Sequence, residues 1–261
     1  MTTAAPLPTP PLPAEPGPDA PLTAADVTVA QVAGIIDHAI LKPETTRAEV
    51  DAQLDLAAAY AIFSVCVRPS DIPHAVERLA GSGVAVGTVL GFPHGTTSTA
   101  AKVAEARQAL ADGAVELDMV LNIGWLRSGL FAEVEADIRA VVEAADGHVV
   151  KVIFETAFLD DEQIVAAARA SERAGAAFVK TSTGFAGGGA TVHDVALMRS
   201  IVGAAVQVKG SGGVRSLDTA LELMTAGATR LGTSATKTIL DDLAARTAGN
   251  AGTGAVDASS Y

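Results

Sequence analysis

Two lysines stand where chemistry can be done. Lys180 closes the apolar run Ala176-Ala177-Phe178-Val179 and is followed at once by Thr181-Ser182-Thr183-Gly184, so an amine sits where a buried strand gives way to a loop. Burying an ammonium is costly, and burial lowers a lysine's pKa toward the neutral form that attacks carbonyls. The chemistry open to such an amine is a Schiff base. The bland reading is that the stem runs along apolar surface and the charge reaches water. Lys209 weighs against it, because it closes Val206-Gln207-Val208 one strand later and leads into Gly210-Ser211-Gly212-Gly213. Two ammonium groups on neighbouring strands repel, and repulsion lowers one pKa.

Carboxylates accompany the amines. In Val115-Glu116-Leu117-Asp118-Met119-Val120-Leu121-Asn122 the strand period puts Glu116 and Asp118 on one face. Lys151 and Glu155, at the two ends of the next apolar run, share a face likewise. Interior charges are costly unless they pair, so Glu116 with Lys151 reads equally well as a structural ion pair. Asp118 is then the group that balances the remaining cation and shuttles protons. Glycine-rich turns follow three successive runs: Ser182-Thr183-Gly184 with Gly187-Gly188-Gly189, then Gly210-Ser211-Gly212-Gly213, then Gly232-Thr233-Ser234. Each alone is a tight turn; three in consecutive loops can converge backbone N–H groups on a phosphate.

These groups must be positioned by regular elements. Apolar runs at 34–40, 62–67, 84–90, 115–121, 149–154, 177–181, 206–209 and 229–232 read as eight strands, and Ala-rich segments such as 47–59, 99–111, 132–144, 160–174 and 216–226 as crossover helices. Eight βα units fit a (β/α)8 TIM barrel, an α/β fold in one domain, whose site lies at the C-terminal strand ends. No GxGxxG follows the first strand, which removes the main support for a dinucleotide site. The barrel is expected over residues 28–247. Residues 1–27 read as a disordered extension, since eight of the twelve prolines fall in residues 1–22, and residues 248–261 as a flexible tail.

Composition narrows the function classes. A net charge of −12 and a pI near 4.7 argue against nucleic acid or an anionic membrane as partner. Cys66, the lone cysteine, cannot form an intramolecular disulfide, which fits a reducing cytoplasm. Its place between Val65 and Val67 reads as a small buried hydrophobe. The histidines form no HxH or HExxH pair and there is no CxxC, so neither a metal site nor a cofactor is expected. With no long apolar run and no charged-then-apolar N-terminus, the chain reads as soluble and cytoplasmic.

Taken in order, Ile36-Asp37-His38-Ala39-Ile40-Leu41-Lys42-Pro43, Val89-Leu90-Gly91-Phe92-Pro93-His94-Gly95, Glu116-Leu117-Asp118-Met119-Val120, Lys151-Val152-Ile153-Phe154-Glu155-Thr156, Val179-Lys180-Thr181-Ser182-Thr183-Gly184-Phe185, Lys209-Gly210-Ser211-Gly212-Gly213 and Gly232-Thr233-Ser234 closely resemble the deoxyribose-phosphate aldolases. The resemblance spans nearly the whole barrel. It implies reversible, metal-free cleavage of 2-deoxy-D-ribose 5-phosphate to acetaldehyde and D-glyceraldehyde 3-phosphate, with Lys180 as the Schiff-base lysine, Lys209 as the lysine that perturbs it and Asp118 as the proton relay. It places Gly184, Gly212, Gly213, Gly232 and Ser234 in the phosphate loops. Asp37, read as the end of the first strand, is the expected contact to a sugar hydroxyl.

Three positions depart or vary. Ala39 stands where the family usually has threonine, and Phe185 where some members carry a phosphate-binding lysine, which shifts the phosphate onto backbone N–H groups and Arg215. Ser259-Ser260-Tyr261 resembles the tail of members whose terminal tyrosine assists proton transfer; simple disorder is the competing reading. The expected partner is a small phosphorylated sugar, with a homo-oligomer, dimer or tetramer, left open. Two rivals remain: a phosphate-binding barrel isomerase using acid–base pairs, and a sugar-phosphate binding protein without catalysis.

Overall fold

The computed structural model describes residues 21–258. Eight parallel strands, β1 (Ile36–Ile40), β2 (Ser64–Val67), β3 (Ala85–Leu90), β4 (Glu116–Val120), β5 (Val149–Ile153), β6 (Phe178–Lys180), β7 (Gln207–Ser211) and β8 (Arg230–Thr233), close into a barrel in chain order, with β8 returning to β1. The expected (β/α)8 architecture is the one observed. Each strand lies inside the apolar run that announced it, except that β7 and β8 extend past Lys209 and Gly232 to Ser211 and Thr233.

The helices are α1 (Val29–Ala33), α2 (Arg47–Ala59), α3 (Ile72–Arg78), α4 (Thr99–Ala111), α5 (Ile123–Arg127), α6 (Phe131–Ala144), α7 (Asp161–Arg173), α8 (Val192–Ile201), α9 (Leu217–Thr225) and α10 (Thr236–Thr247). Local chemistry fixes where they begin. Thr46 with Glu49 and Asp160 with Gln163 form reciprocal capping boxes, while Ser98, Thr191 and Ser216 accept from the third residue on. The turns back into β6 and β8 need positive φ, supplied by Gly175 (φ +86°) and Gly227 (φ +105°). A Cβ on Gly227 would lie 2.6 Å from the Arg199 side chain.

The main core lies between the strands' outer faces and the helix ring, built from Val, Ile, Leu and Ala such as Ile36, Val65, Leu117, Val152, Val179 and Leu231. Packing begins before residue 28: Val27 is buried, and the Leu22 N–H donates to Thr225 Oγ1 at 2.9 Å. At the other end Thr253 is tied through its N–H to Asp242 (2.6 Å), and the Asp257 N–H donates to the Arg215 carbonyl (3.1 Å), so residues after α10 run back toward the loop between β7 and α9. No helix among the described residues is long and apolar enough to cross a membrane.

His38 faces the helix layer, with Nδ1 2.8 Å from Thr236 Oγ1 and Nε2 2.7 Å from Gln53 Oε1. Burial pushes its imidazole down to about 4 against the opposing Gln53 hydrogen bond. Below pH ~6.5 the unfolded chain therefore binds a proton that the folded chain refuses until about pH 4, and stability falls across that window by up to about 3 kcal/mol. Thermal unfolding from pH 7 to pH 5 should show a steeper fall in Tm for the wild type than for His38→Gln; equal slopes would remove His38 from the account.

Candidate active site

Strand alternation and parallel register stack the barrel's interior side chains in layers. Ser64, Glu116, Phe178 and Arg230 come from the even strands. Above them, in register with each, lie Asp37, Gly87, Lys151 and Lys209 from the odd strands. Two residues further along the even strands, closer to the C-terminal mouth, are Cys66, Asp118, Lys180 and Gly232. Branched apolar side chains normally fill such a barrel. Here seven of the twelve positions carry charged groups, and only pairing makes that tolerable.

The pairing is continuous. Asp118 Oδ2 accepts from Lys180 Nζ and Lys209 Nζ, both at 2.8 Å, and its Oδ1 accepts from Lys151 Nζ at 2.8 Å. Lys151 also reaches Glu116 at 2.6 Å. Lys209 turns its other side to Asp37 (2.5 Å), which is held in turn by Arg230 Nη1 (2.8 Å) and the Ser64 hydroxyl (2.7 Å). Lys151 thus joins Glu116 to Asp118, so the Glu116–Lys151 ion pair and the carboxylate expected to handle protons belong to one network.

Within it Lys180, which ends β6, and Lys209, which the structure places mid-strand in β7 rather than at its end, are pushed in opposite directions. Burial lowers Lys180; the Asp118 carboxylate opposes this and the Lys209 ammonium adds to it. Burial also works against a charged Lys209, but Asp118 and Asp37 together outweigh it and hold Lys209 above its ordinary value. Asp118 would be raised by burial, yet Lys151, Lys180 and Lys209 keep it well below the usual carboxylate range. Repulsion from Lys209 is therefore the smaller part of what frees Lys180; desolvation is the larger. Cys66, beside them, is pushed up to about 11 chiefly by burial and stays a thiol, as its sequence context indicates.

The cavity at the Lys180 amine narrows to about 10 Å³, room for roughly one water, and is bordered by Ala39, Cys66, Thr183, Ser211, Gly212 and Gly232. Gly232 keeps it open, since a Cβ there would lie 2.7 Å from Ser211 Cβ and 3.1 Å from Lys209 Cε. Beyond Thr183 a wider hollow of about 410 Å³ opens between His94, Arg127, Phe158 and Phe185. The loops after β6 and β7 are pressed together, with Gly184 at φ +85°, Gly212 at +80° and Gly213 at +73°. Phe185 packs edge-on against Phe92 at 5.2 Å, and its N–H donates to Thr183 Oγ1. Ser234 stands just ahead of α10, past the end of β8.

The structure brings Lys180, Lys209 and Asp118 together as the sequence pattern indicates. Asp37 requires a correction: it is the second residue of β1, not its end, and both its oxygens are committed to Lys209, Arg230 and Ser64. It borders the cavity while supporting Lys209. Glu155 is likewise not on the strand face shared with Lys151. It lies past β5 in left-handed backbone (φ 58°), and its carboxylate accepts from the Thr183 N–H and hydroxyl. Tyr261 lies outside the described residues. Arg230 escaped the sequence reading, although the strand period places it on the face of Gly232.

A family model for DeoC/LacD family aldolases matches residues 30–249. The chain is 55% identical to "Deoxyribose-phosphate aldolase 2" of Staphylococcus aureus (strain MRSA252) over 213 residues, covering 82% of this chain and 97% of that protein. Among solved structures, a putative deoxyribose-phosphate aldolase from Coccidioides immitis superposes with a TM-score of 0.80 at 42% identity, over 82% of this chain and 86% of that one. A tetrameric deoxyribose phosphate aldolase from Aeropyrum pernix gives 0.78 at 31%, over 84% and 93%. With the barrel, the buried lysine pair and this degree of likeness in hand, the chain belongs to the DeoC/LacD family and is an aldolase, a carbon–carbon lyase.

Proposed function

We propose that this aldolase reversibly cleaves 2-deoxy-D-ribose 5-phosphate to D-glyceraldehyde 3-phosphate and acetaldehyde through a Schiff base on Lys180. The observation that carries the reading is the shared carboxylate: Asp118 Oδ2 lies 2.8 Å from both the lysine that burial favours uncharged and the one held as an ammonium. A nucleophile and a proton donor thus meet at one relay.

In the cleavage direction the Lys180 lone pair adds to the C1 aldehyde, and loss of water gives an iminium. The C3 hydroxyl proton passes to Asp118, the C3–O bond becomes a carbonyl, and the C2–C3 electron pair moves into the iminium to form an enamine as glyceraldehyde 3-phosphate leaves. Protonation of C2 regenerates an iminium, and water releases acetaldehyde and the free amine. Because its lysines keep Asp118 a weak base, it does not store the proton taken from the C3 hydroxyl but passes it on to C2 of the enamine, with the Lys209 ammonium beside it. The phosphate is assigned to the loop N–H groups around Gly184, Gly212, Gly213 and Gly232, with Ser234 ahead of α10. Asp37 serves by holding Lys209. A homo-oligomer is in keeping with the tetrameric Aeropyrum pernix relative, and the acidic, cysteine-poor composition with a cytoplasmic enzyme.

Borohydride reduction in the presence of 2-deoxyribose 5-phosphate, followed by peptide mass mapping, tests the proposal. A reduced adduct on Lys180 is expected. Its absence, with a control aldolase trapping alongside, would return the isomerase and binding-protein readings.

A further inference from the structure

Arg230 is 1% exposed at the floor of the barrel, with the odd-strand layer of Asp37, Lys151 and Lys209 between it and the mouth. Its guanidinium lies over Phe63 at 3.6 Å and 5.2 Å from Phe178, and Nη1 reaches Asp37 at 2.8 Å and Glu116 at 3.2 Å. Substrate at Lys180 has no route to it. Three carboxylates, Asp37, Glu116 and Asp118, share the interior with four basic side chains, Arg230, Lys151, Lys209 and Lys180.

We propose that Arg230 is a positioning residue that completes the interior charge balance and so lets Lys180 be the one uncharged base. The inference rests on Lys180 being the Schiff-base lysine. With Arg230 in place, Arg230, Lys151 and Lys209 match the three carboxylates, and the fourth base needs no proton. Arginine suits this work because its guanidinium does not deprotonate in proteins, so it cannot be the group that gives way. Take its charge away, and the three carboxylates face only Lys151 and Lys209. The nearest amine able to supply the missing cation is then Lys180, already 2.8 Å from Asp118. Of the other titratable groups beside Lys180, Cys66 is a thiol, and Glu155, engaged with Thr183 beyond β5, is pushed toward its neutral form by burial, against the Thr183 hydrogen bonds and the charge of Lys180.

The test is a charge-balance cycle read through the pH dependence of kcat/KM for 2-deoxyribose 5-phosphate cleavage, with borohydride trapping of each protein. Methionine fills the space between the rings without charge, so Arg230→Met should move the acid limb up by about one pH unit. Glu116→Gln, which removes one anion, should move it down. The double variant should return toward the wild-type limb, and Arg230→Lys should stay near it. A role in packing alone would lower rates at every pH without moving the limb, and Glu116→Gln would not reverse it; either result overturns the proposal. Should Arg230→Met fail to fold, an unmoved limb in Glu116→Gln overturns it by itself. Failure of the wild type to trap on Lys180 is a separate result, and it removes the underlying mechanism instead.

Discussion

Lys180→Met should lower kcat by roughly 10⁴-fold or more and abolish borohydride trapping while leaving the barrel folded. The loss is large because no other group can form the iminium from the same place: Lys209 is held as an ammonium between Asp118 and Asp37, and Lys151 between Asp118 and Glu116. Breaking a buried ion pair usually destabilises a protein, because it strands a charge. Here Asp118 keeps Lys151 and Lys209 as partners, so nothing is stranded, and methionine fills the space apolarly. The pH dependence carries a sign that can be checked. Lys180 is lowered in the folded state, so between that value and ~10.4 the unfolded chain binds a proton the folded chain does not, and wild-type stability rises with pH through the window. The methionine variant lacks this rise. It should match or exceed the wild type in Tm at pH 7, with the gap narrowing toward pH 10. Retained turnover would displace Lys180 as nucleophile, and a large drop in Tm at pH 7 would show that its ammonium holds the fold.

The barrel and the heart of its site are legible along the chain, because each signal sits within one strand. Lys180 and Lys209 announce themselves as charges ending apolar runs that lead into glycine turns, and Glu116 with Asp118 by the two-residue period. What escapes is what depends on registering one strand against another. Arg230 falls inside the run 229–232, and the two-residue period puts it on the face of Gly232, but only its register with Lys209 of β7 shows that this face meets the charged interior. Asp37 lies inside the run 34–40 rather than at its end, but its partners show only once β2 and β8 are paired with β1 and fix its level, in register with Ser64 and Gly232. Lys102, buried against Asp137 at 2.6 Å between α4 and α6, gives no sign in an Ala-rich helix whose charges otherwise face water. Short elements such as α3 and α5 lack the length for a helical period to show.

Asp118→Asn should be costlier to the fold than Lys180→Met and nearly as harmful to turnover. The carboxylate faces three lysines, so its loss removes the relay, worth about 10²–10⁴ in rate, and leaves Lys151 and Lys209 with less compensation than burial demands, at about 3–5 kcal/mol. Two pH signatures separate the effects. Removing an anion beside Lys180 makes its ammonium harder still to keep, so the acid limb of the residual activity moves down, opposite to the shift expected for Arg230→Met. For stability, the wild-type Asp118 is held well below its unfolded value of ~3.9, so its contribution is complete above that value and is lost as pH falls through the folded one. The gap between wild type and Asp118→Asn in denaturant melts should therefore be constant from pH 7 to about pH 5 and close only in stronger acid. A gap that closed near pH 6 would mean that Asp118 is protonated far more easily than three lysines allow, and the shared carboxylate could not then connect a neutral Lys180 to a charged Lys209.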